Sequence, residues 1–225
     1  MIKLIRGVHQ FRSKEFGRYR ELFRQLSTEG QKPHTLFITC ADSRVLAELI
    51  TQSKPGDLFV VKNIGNIVPT ADVVGSTNST AAAIEFAVQT LEVEDIVICG
   101  HSHCGAMGAL IDENLNPESQ PHLAGWMALA KPVRDVLEKA YGDLHQNREE
   151  MINTAALENV LFALDNLLTY PCVKTRLDAG TLRLHGWFFE IGTAELLVYD
   201  PEIKQFAPLI YSPGKPSASS EPSLF

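Results

Sequence analysis

The sequence lacks the features that mark membrane-spanning and secreted proteins. No apolar run approaches the ~20 residues that a helix needs to cross a bilayer. Lys3 and Arg6 interrupt the first residues too early for the apolar stretch of a secretory signal peptide. Cysteine is scarce, with four in 225 residues, which does not indicate a disulfide scaffold. These absences predict a cytoplasmic, reducing location in which free thiolates are available to bind metal.

An excess of basic residues is absent as well. The chain has 20 Lys and Arg against 27 Asp and Glu, for a formal net charge of −7. Nucleic acids and anionic membranes attract clustered Lys and Arg, so neither is expected as a partner. Hydrophobic residues make up 45% and charged residues 21%, which is ordinary for a soluble enzyme. The length allows one well-packed domain, predicted for residues 1–211, and does not require two.

Strand-like apolar runs alternate with helical patterns, which predicts an α/β fold with a mostly parallel central sheet flanked by helices. Helices within residues 1–30 either pack on their own core or form an arm that lies on a second subunit. Strands over 182–189 and 195–199 predict an antiparallel hairpin at the sheet edge. Residues 212–225 are rich in Ser and Pro and are predicted to be a disordered tail. The remaining predicted elements are strands over 35–39, 58–61 and 95–99 and helices over 45–51, 79–91, 106–111, 122–141 (kinked or restarted at Pro132), 149–168 and 171–178.

Two short motifs follow two of these strands and carry the candidate chemistry. Cys40 comes directly after the strand over 35–39, and His101 and Cys104 come after the strand over 95–99. In an open parallel sheet, functional groups gather beyond the carboxyl ends of the strands, so these side chains converge if the strands are neighbours. The His-x-x-Cys spacing places two ligands about one helical turn apart. Two thiolates and one imidazole make a zinc site with one coordination position left open.

Asp42 and Arg44 stand close enough to Cys40 to control that open position. Asp42 could itself reach the ion, and a fourth protein ligand would close the site. Arg44 can instead hold the Asp42 carboxylate in a bidentate pair, which turns it away from the zinc and leaves room for water. An ordinary salt bridge beside a helix start is the simpler alternative. The short distance from Cys40 favours the functional interpretation.

The other cysteines and histidines are given no catalytic role. Cys99 lies inside an apolar strand, which is typical of a buried structural thiol. Cys172 has no nearby residue of a ligand type. His103 could carry protons toward solvent, although a partly exposed polar residue is the simpler expectation. His185 is expected to be a structural histidine in a strand.

The chain resembles the β-class carbonic anhydrases over nearly its whole length, roughly residues 1–211. It is most similar to bacterial and cyanobacterial members, including the carboxysomal type. The resemblance implies reversible hydration of carbon dioxide to bicarbonate and a proton by zinc-bound hydroxide. Because two thiolates cancel the charge of the zinc ion, activity is expected to rise toward alkaline pH. The stretches that carry the resemblance are Cys40-x-Asp42-x-Arg44, His101-x-x-Cys104, Pro55–Val60, Asn63–Asn66, Cys99–Met107 and Leu184–Trp187.

The resemblance also implies roles for individual residues and a partner subunit. It assigns Cys40, His101 and Cys104 to zinc, and Asp42 and Arg44 to a dyad that gates the site and orients the hydroxide. It implies a homodimer, often doubled into a dimer of dimers, in which N-terminal helices embrace the partner. The substrate contacts that it implies are Gln31 reaching across the dimer, a backbone donor at Gly105, and an apolar carbon dioxide pocket made by Phe59, Ile64 and Phe86.

Three positions depart from a subgroup of the family that bicarbonate inhibits. Phe37, Lys62 and Phe189 stand where that subgroup has Trp, Arg and Tyr. Two of the three lose a hydrogen-bonding group. We therefore expect this chain to lack the noncatalytic bicarbonate site that those residues build.

Two other functions fit the same residues. A hydrolase of carbon disulfide or carbonyl sulfide would use the same zinc site, because it also attacks a linear molecule with hydroxide. A zinc-stabilised assembly protein could be packaged in a carboxysome if residues 212–225 docked on a scaffold protein. Retention of Gln31, Asp42 and Arg44 argues against a purely structural role.

Overall fold

The computed structural model describes residues 1–72, 77–141 and 147–210. The predicted tail over 212–225 therefore lies outside the described residues. No helix within the described ranges is long and apolar enough to cross a membrane.

The described residues form one mixed sheet of six strands in the order β2-β1-β3-β4-β5-β6. The first four strands in that order run parallel, and β5 and β6 add antiparallel pairs at one edge. The predicted α/β fold with an antiparallel edge is confirmed. The strands are β1 (Thr35–Cys40), β2 (Leu58–Asn63), β3 (Asp95–His101), β4 (Arg183–Glu190), β5 (Glu195–Asp200) and β6 (Gln205–Pro208).

Helices connect and flank these strands, broadly where the sequence predicts them. A π-helical turn over Phe11–Glu15 joins α1 to α2, and another over Phe86–Thr90 continues α4. A 3-10 turn over Ile64–Asn66 follows β2. The helices are α1 (Ile2–Gln10), α2 (Phe16–Glu29), α3 (Ala47–Thr51), α4 (Ser79–Glu85), α5 (Gly105–Asp112), α6 (Pro121–Ala128), α7 (Lys131–Ala140), α8 (Arg148–Leu167) and α9 (Pro171–Asp178).

Two local predictions need correction, and a third is confirmed. The strand over 58–61 was expected to be buried, but β2 is an edge strand and is only partly covered. The helix expected from residue 45 begins at Ala47, because the Val45 N–H group instead closes a turn onto the Asp42 carbonyl at 3.2 Å. Pro132 acts as predicted, since α6 ends at Ala128 and α7 restarts with this proline in its first turn.

The face of the sheet that carries α8 holds the larger part of the core. Apolar residues of β1 and β3 such as Ile38 and Ile98 pack there against Val160 and Leu164 of α8. Gly100 of β3 permits α8 to lie close to the sheet. A Cβ at Gly100 would lie 2.8 Å from Val160 Cγ2 and 3.1 Å from the Ala156 carbonyl oxygen.

The opposite face of the sheet carries a smaller cluster. Its buried members include Phe37, Val97, Cys99 and Phe189. The Trp187 ring packs edge-on against the Phe37 ring, with 5.8 Å between the ring centroids. Cys99 is thus a core thiol, as expected. The N-terminal helices differ, because α1 and α2 contain no buried residue. Several apolar side chains of α1 are therefore exposed in the single chain.

Candidate metal centre

Two neighbouring parallel strands bring the predicted ligands together. Cys40 is the last residue of β1 and His101 the last residue of β3, and the two strands pair in register up to Thr39 and Cys99. Cys104 lies three residues beyond His101, where it precedes the first turn of α5. The Cys40, His101 and Cys104 side chains are buried, and their ligand atoms lie within 4.8 Å of one another. This arrangement matches the convergence that the sequence predicts.

The hydrogen bonds of His101 leave one ring nitrogen free for a cation. Nδ1 lies 2.8 Å from the Ser102 carbonyl oxygen, which accepts hydrogen bonds only, so Nδ1 carries the proton. Nε2 then has a lone pair, is buried, and has no hydrogen-bond partner among the described residues. Ser102 is itself fixed, since its Oγ donates to Glu190 Oε1 at 2.6 Å and accepts from the Ile191 N–H group at 3.0 Å. A histidine that binds a metal has this arrangement, with one ring nitrogen hydrogen-bonded through its proton and the other free to coordinate.

The two thiols complete a donor set that suits a metal ion. The pKa of Cys40 is lowered to about 4, chiefly because the Cys104 thiol donates to its sulfur, with further contributions from the backbone N–H groups of Asp42 and Gly65. The pKa of Cys104 is raised, because it supplies that shared proton and because it is buried. A cation in place of the proton would satisfy both sulfurs as thiolates.

Asp42 lies beside this centre and is held by Arg44. Arg44 Nε and Nη2 donate to the two Asp42 carboxylate oxygens at 2.9 and 2.8 Å, and the Arg44 backbone N–H group donates at 2.9 Å. Arg44 Nη2 also donates to the His103 carbonyl at 3.2 Å. These hydrogen bonds hold the pKa of Asp42 well below its usual range. Asp42 Oδ2 is 3.9 Å from His101 Nε2, so an ionised carboxylate stands next to the free ligand nitrogen.

The other predicted site residues are only partly gathered in one chain. Gly105 begins α5, and a Cβ there would meet no heavy atom of the described residues within 4 Å. The Phe59 and Phe86 rings pack at 5.8 Å, but Phe86 is 42% and Ile64 44% exposed. Gln31 is exposed and precedes β1, whereas Cys40 ends that strand, so one chain does not bring Gln31 to the centre.

The three positions that depart from the bicarbonate-inhibited subgroup have other partners. Phe37 and Phe189 belong to the apolar cluster on the second sheet face. Lys62 Nζ donates to the carbonyls of Asp42 and Val45 at 3.0 and 2.7 Å, and so holds the backbone of the turn that carries Asp42. The absence of the second anion site remains a prediction.

Several residues that support the centre carry no signal in the sequence. Asn153 on α8 accepts a hydrogen bond from the His103 N–H group at 2.9 Å. Glu190 at the end of β4 holds Ser102, and Trp126 on α6 donates to the Ile64 carbonyl at 2.8 Å. They lie 22 to 89 residues along the chain from His101, Ser102 or Cys104. No spacing rule links them to the ligands, so sequence reasoning could not have found them.

A thiolate, imidazole and thiolate set at the carboxyl ends of parallel strands defines a class of metalloenzyme site, and comparisons with known proteins identify the family. The carbonic anhydrase family model matches residues 35–196, more than half of the chain. This chain therefore belongs to the carbonic anhydrase family. It is 44% identical over 207 residues to a carbonic anhydrase of Synechocystis, which covers 92% of this chain and 73% of the relative. It is 39% identical to a carbonic anhydrase of Pseudomonas aeruginosa, covering 99% of this chain and 98% of the relative.

Solved structures with a similar fold belong to the same family. The chain superposes on the β-carbonic anhydrase CcaA with a TM-score of 0.88 and 42% identity, covering 94% of this chain and 92% of the other. It also matches a tetrameric β-carbonic anhydrase of Sordaria macrospora with a TM-score of 0.76 and 29% identity, covering 87% and 94% of the two chains. The fold is that of the β class.

Proposed function

We propose that this chain is a zinc-dependent carbonic anhydrase that interconverts carbon dioxide with bicarbonate and a proton. The observation that carries the proposal is the buried, unpartnered Nε2 of His101 between two thiols, with the Arg44-held carboxylate of Asp42 beside it. Membership of the carbonic anhydrase family supports the same reaction.

Zinc is the metal that this donor set fits best. Cys40, His101 and Cys104 would hold it through two sulfurs and one nitrogen, which leaves one of four tetrahedral positions open. When bound, zinc would supply a Lewis acid that lowers the pKa of water and provides a nucleophile at ordinary pH.

The neighbouring residues then have distinct tasks. Asp42 is ionised, so it can accept a hydrogen bond from a group at the open position, and Arg44 would keep its carboxylate turned aside from the metal. The Gly105 N–H group, at the exposed start of α5, would bind a substrate oxygen. Phe59, Ile64 and Phe86 would form the apolar wall against carbon dioxide.

We also propose that the working unit is a homodimer or a dimer of dimers. The exposed apolar side chains of α1 support an arm that packs on a partner. Gln31 would reach the substrate in the partner subunit, since it lies away from the centre of its own chain. The tetrameric state of the Sordaria macrospora relatives agrees with such assembly.

We propose a cytoplasmic location for this assembly and, more specifically, packaging in a carboxysome. The low cysteine content and the similarity to cyanobacterial carbonic anhydrases support the pair of proposals. A pull-down of carboxysome scaffold protein with and without residues 212–225 tests the second. Equal capture by both forms would reject docking through the tail.

The activity is tested by stopped-flow carbon dioxide hydration with zinc quantified in each sample. Asp42→Asn should lose most activity and keep its zinc, because Asp42 is not a ligand. Asp95→Asn is the matched control, since Asp95 is also paired in a bidentate manner, with Arg183, but at the opposite end of β3. An inactive wild type with full zinc would reject the proposal in favour of hydrolysis of carbon disulfide or carbonyl sulfide.

A further inference from the structure

The turn over Ile64–Asn66 lies against both cysteine motifs and cannot move freely. Gly65 has φ of +76°, and a Cβ there would lie 3.0 Å from Ala106 Cβ and 3.2 Å from Met107 Cε of α5. The Ala41 N–H group, one residue after Cys40, donates to the Asn63 carbonyl at 2.7 Å. The Asn63 side chain closes the turn by hydrogen bonds in both directions with the Ile67 backbone, at 3.0 and 2.9 Å.

Within this turn one peptide group links the surface to a ligand. Hydrogen bonding from the Gly65 N–H group is one of the causes that lower the pKa of Cys40. The carbonyl of the same peptide group, that of Ile64, accepts from Trp126 Nε1 at 2.8 Å. A peptide whose carbonyl accepts a hydrogen bond is polarised, which strengthens its N–H group as a donor.

The next peptide group is held from the buried side. Asn159 Nδ2, on α8, donates to the Gly65 carbonyl at 2.9 Å. The Asn159 side chain is 1% exposed, and its Oδ1 has no hydrogen-bond partner among the described residues. Burying an amide oxygen without a hydrogen-bond partner is energetically unfavourable. A buried asparagine at this position therefore needs a compensating benefit to stability or function. The hydrogen bond that it donates goes to the turn beside Cys40.

We propose that Trp126 and Asn159 are positioning residues for the metal centre, which hold the Ile64–Gly65–Asn66 turn from both sides against the backbone beside Cys40 and the helix that follows Cys104. A turn held in this position keeps the Gly65 N–H group available to the Cys40 thiolate, and a hydrogen bond to a thiolate disperses its charge and fixes its orientation toward a metal. The inference rests on the zinc site of the proposed function, but it concerns residues outside the proposed metal ligands and substrate contacts.

The chain contains a matched control for each residue. Asn166 lies seven residues after Asn159 on the same helix, is buried, and donates from Nδ2 to the Val68 carbonyl at 2.7 Å. It holds the same loop beyond the turn, away from the ligands. Trp187, the other of the two tryptophans in the sequence, packs on Phe37 on the opposite sheet face.

The test compares Asn159→Leu with Asn166→Leu, and Trp126→Phe with Trp187→Phe, in zinc-loaded and cobalt-loaded full-length protein. The first readout is the rate at which a chelator removes zinc. Asn159→Leu and Trp126→Phe should release zinc about two- to tenfold faster than their controls, the range that loss of one hydrogen bond gives. The second readout is the thiolate-to-cobalt charge-transfer band, which should move to lower energy in these two variants only, because a thiolate with a weaker donor is more electron-rich.

Equal release rates and unchanged bands in variants and controls would overturn the inference. Trp126→Phe alone decides the question if Asn159→Leu does not fold, since Trp126 is partly exposed and phenylalanine keeps an aromatic ring at this position. A wild type that binds no zinc would instead reject the proposed function, and this inference with it. A wild type that holds zinc firmly, with variants indistinguishable from controls, would reject the inference only.

Discussion

At the scale of single residues, the chemistry depends on hydrogen bonds that fix the orientation of a few side chains. Asp42 is close enough to the His101 Nε2 atom to compete for a metal, at 3.9 Å. Three hydrogen bonds from Arg44 fix the carboxylate in another direction. A planar guanidinium can do this because its donors match both carboxylate oxygens, whereas an ammonium group offers a single point of charge.

Replacing Arg44 by Lys should therefore reduce activity although the charge is kept. We expect a loss on the order of tenfold or more in kcat/KM, as for other partners of groups that surround a metal. Zinc content should not change, since Arg44 is not a ligand. Stopped-flow hydration and metal analysis of the same preparations measure both quantities.

The matched control is Arg183→Lys, which breaks a similar bidentate pair with Asp95 at the other end of the sheet. It should leave kcat/KM near the wild-type value. If Arg44→Lys is as active as this control, Arg44 has no orienting role and the pair is an ordinary salt bridge.

The candidate ligands were predictable from sequence for a simple physical reason, and the residues that support them were not. Cys40, His101 and Cys104 end or follow apolar strands, so the geometry of a parallel sheet brings them together. Trp126 and Asn159 reach the centre only because α6 and α8 fold back onto the turn after β2. The packing of those helices is a property of the tertiary structure, and no local pattern encodes it.

At the scale of elements, the close packing of α8 on β3 and β4 sets the position of the centre. Gly100 lies directly before His101 in β3, and Gly186 lies in β4. A Cβ at Gly186 would meet Leu164, Val160 and Tyr199 at 3.1 to 3.2 Å. Side chains at these two positions would push the helix away from the strand that carries a ligand.

Gly100→Ala should destabilise the protein by about 1–3 kcal/mol, because its Cβ would overlap Val160 and the Ala156 backbone. Urea unfolding of wild type and variant measures the difference. Gly125→Ala in α6 serves as the control, since its Cβ would meet no heavy atom of the described residues within 4 Å. That change should stabilise the helix by about 0.5–1 kcal/mol, and equal destabilisation by both would contradict the packing argument.

A second link between β3 and β4 has a defined pH dependence. Asp95 accepts from Arg183 Nε and Nη2 at 2.8 and 2.9 Å, and His185 Nε2 lies 2.7 Å from its Oδ1. Burial alone would raise the pKa of Asp95, but these hydrogen bonds outweigh it and hold the pKa well below the usual value. The folded state therefore binds fewer protons than the unfolded state in acid. The stabilisation is complete above the unfolded pKa of about 3.9 and is lost as the pH falls through the folded pKa.

The difference in unfolding free energy between wild type and Asp95→Asn should accordingly be largest near neutral pH and should shrink below about pH 4. Urea titrations of the two proteins side by side, at several values between pH 7 and pH 3, measure this. Acid-induced loss of metal affects both proteins and cancels in the comparison. A difference that stays constant down to pH 3 would show that Asp95 is not held ionised by the pair.

Element boundaries show where sequence patterns stop being informative. The four-residue strand β6 was not predicted, because it is short, ends in Pro208, and forms only by pairing with β5. Burial of β2 was predicted and is wrong, since a run of apolar residues does not reveal that a strand lies at the edge of its sheet. The proline at 132 was informative because its effect on a helix is local.

At the scale of the whole molecule, one chain leaves its site and its arm incompletely covered. Ile64 and Phe86, predicted to line the apolar pocket, are both more than 40% exposed. The exposed apolar side chains of α1 are Ile2, Leu4, Ile5 and Val8. Exposed apolar side chains grouped on one helix indicate an interaction site, and we propose that a second copy of the chain covers the arm and supplies Gln31 to the substrate.

Val8→Asp, in the middle of α1, should therefore weaken assembly, because burying an unpaired carboxylate in an interface is strongly unfavourable. Sedimentation velocity should show the wild type as a dimer or a dimer of dimers and the variant shifted toward monomer at low concentration. Activity per chain should fall over the same concentration range, since the dissociated chain lacks the partner's contribution. Val136→Asp on α7 is the control, an exposed valine outside the arm, and it should change neither assembly nor activity. If Val8→Asp stays assembled and active at every concentration, the arm does not hold the oligomer and Gln31 must act elsewhere.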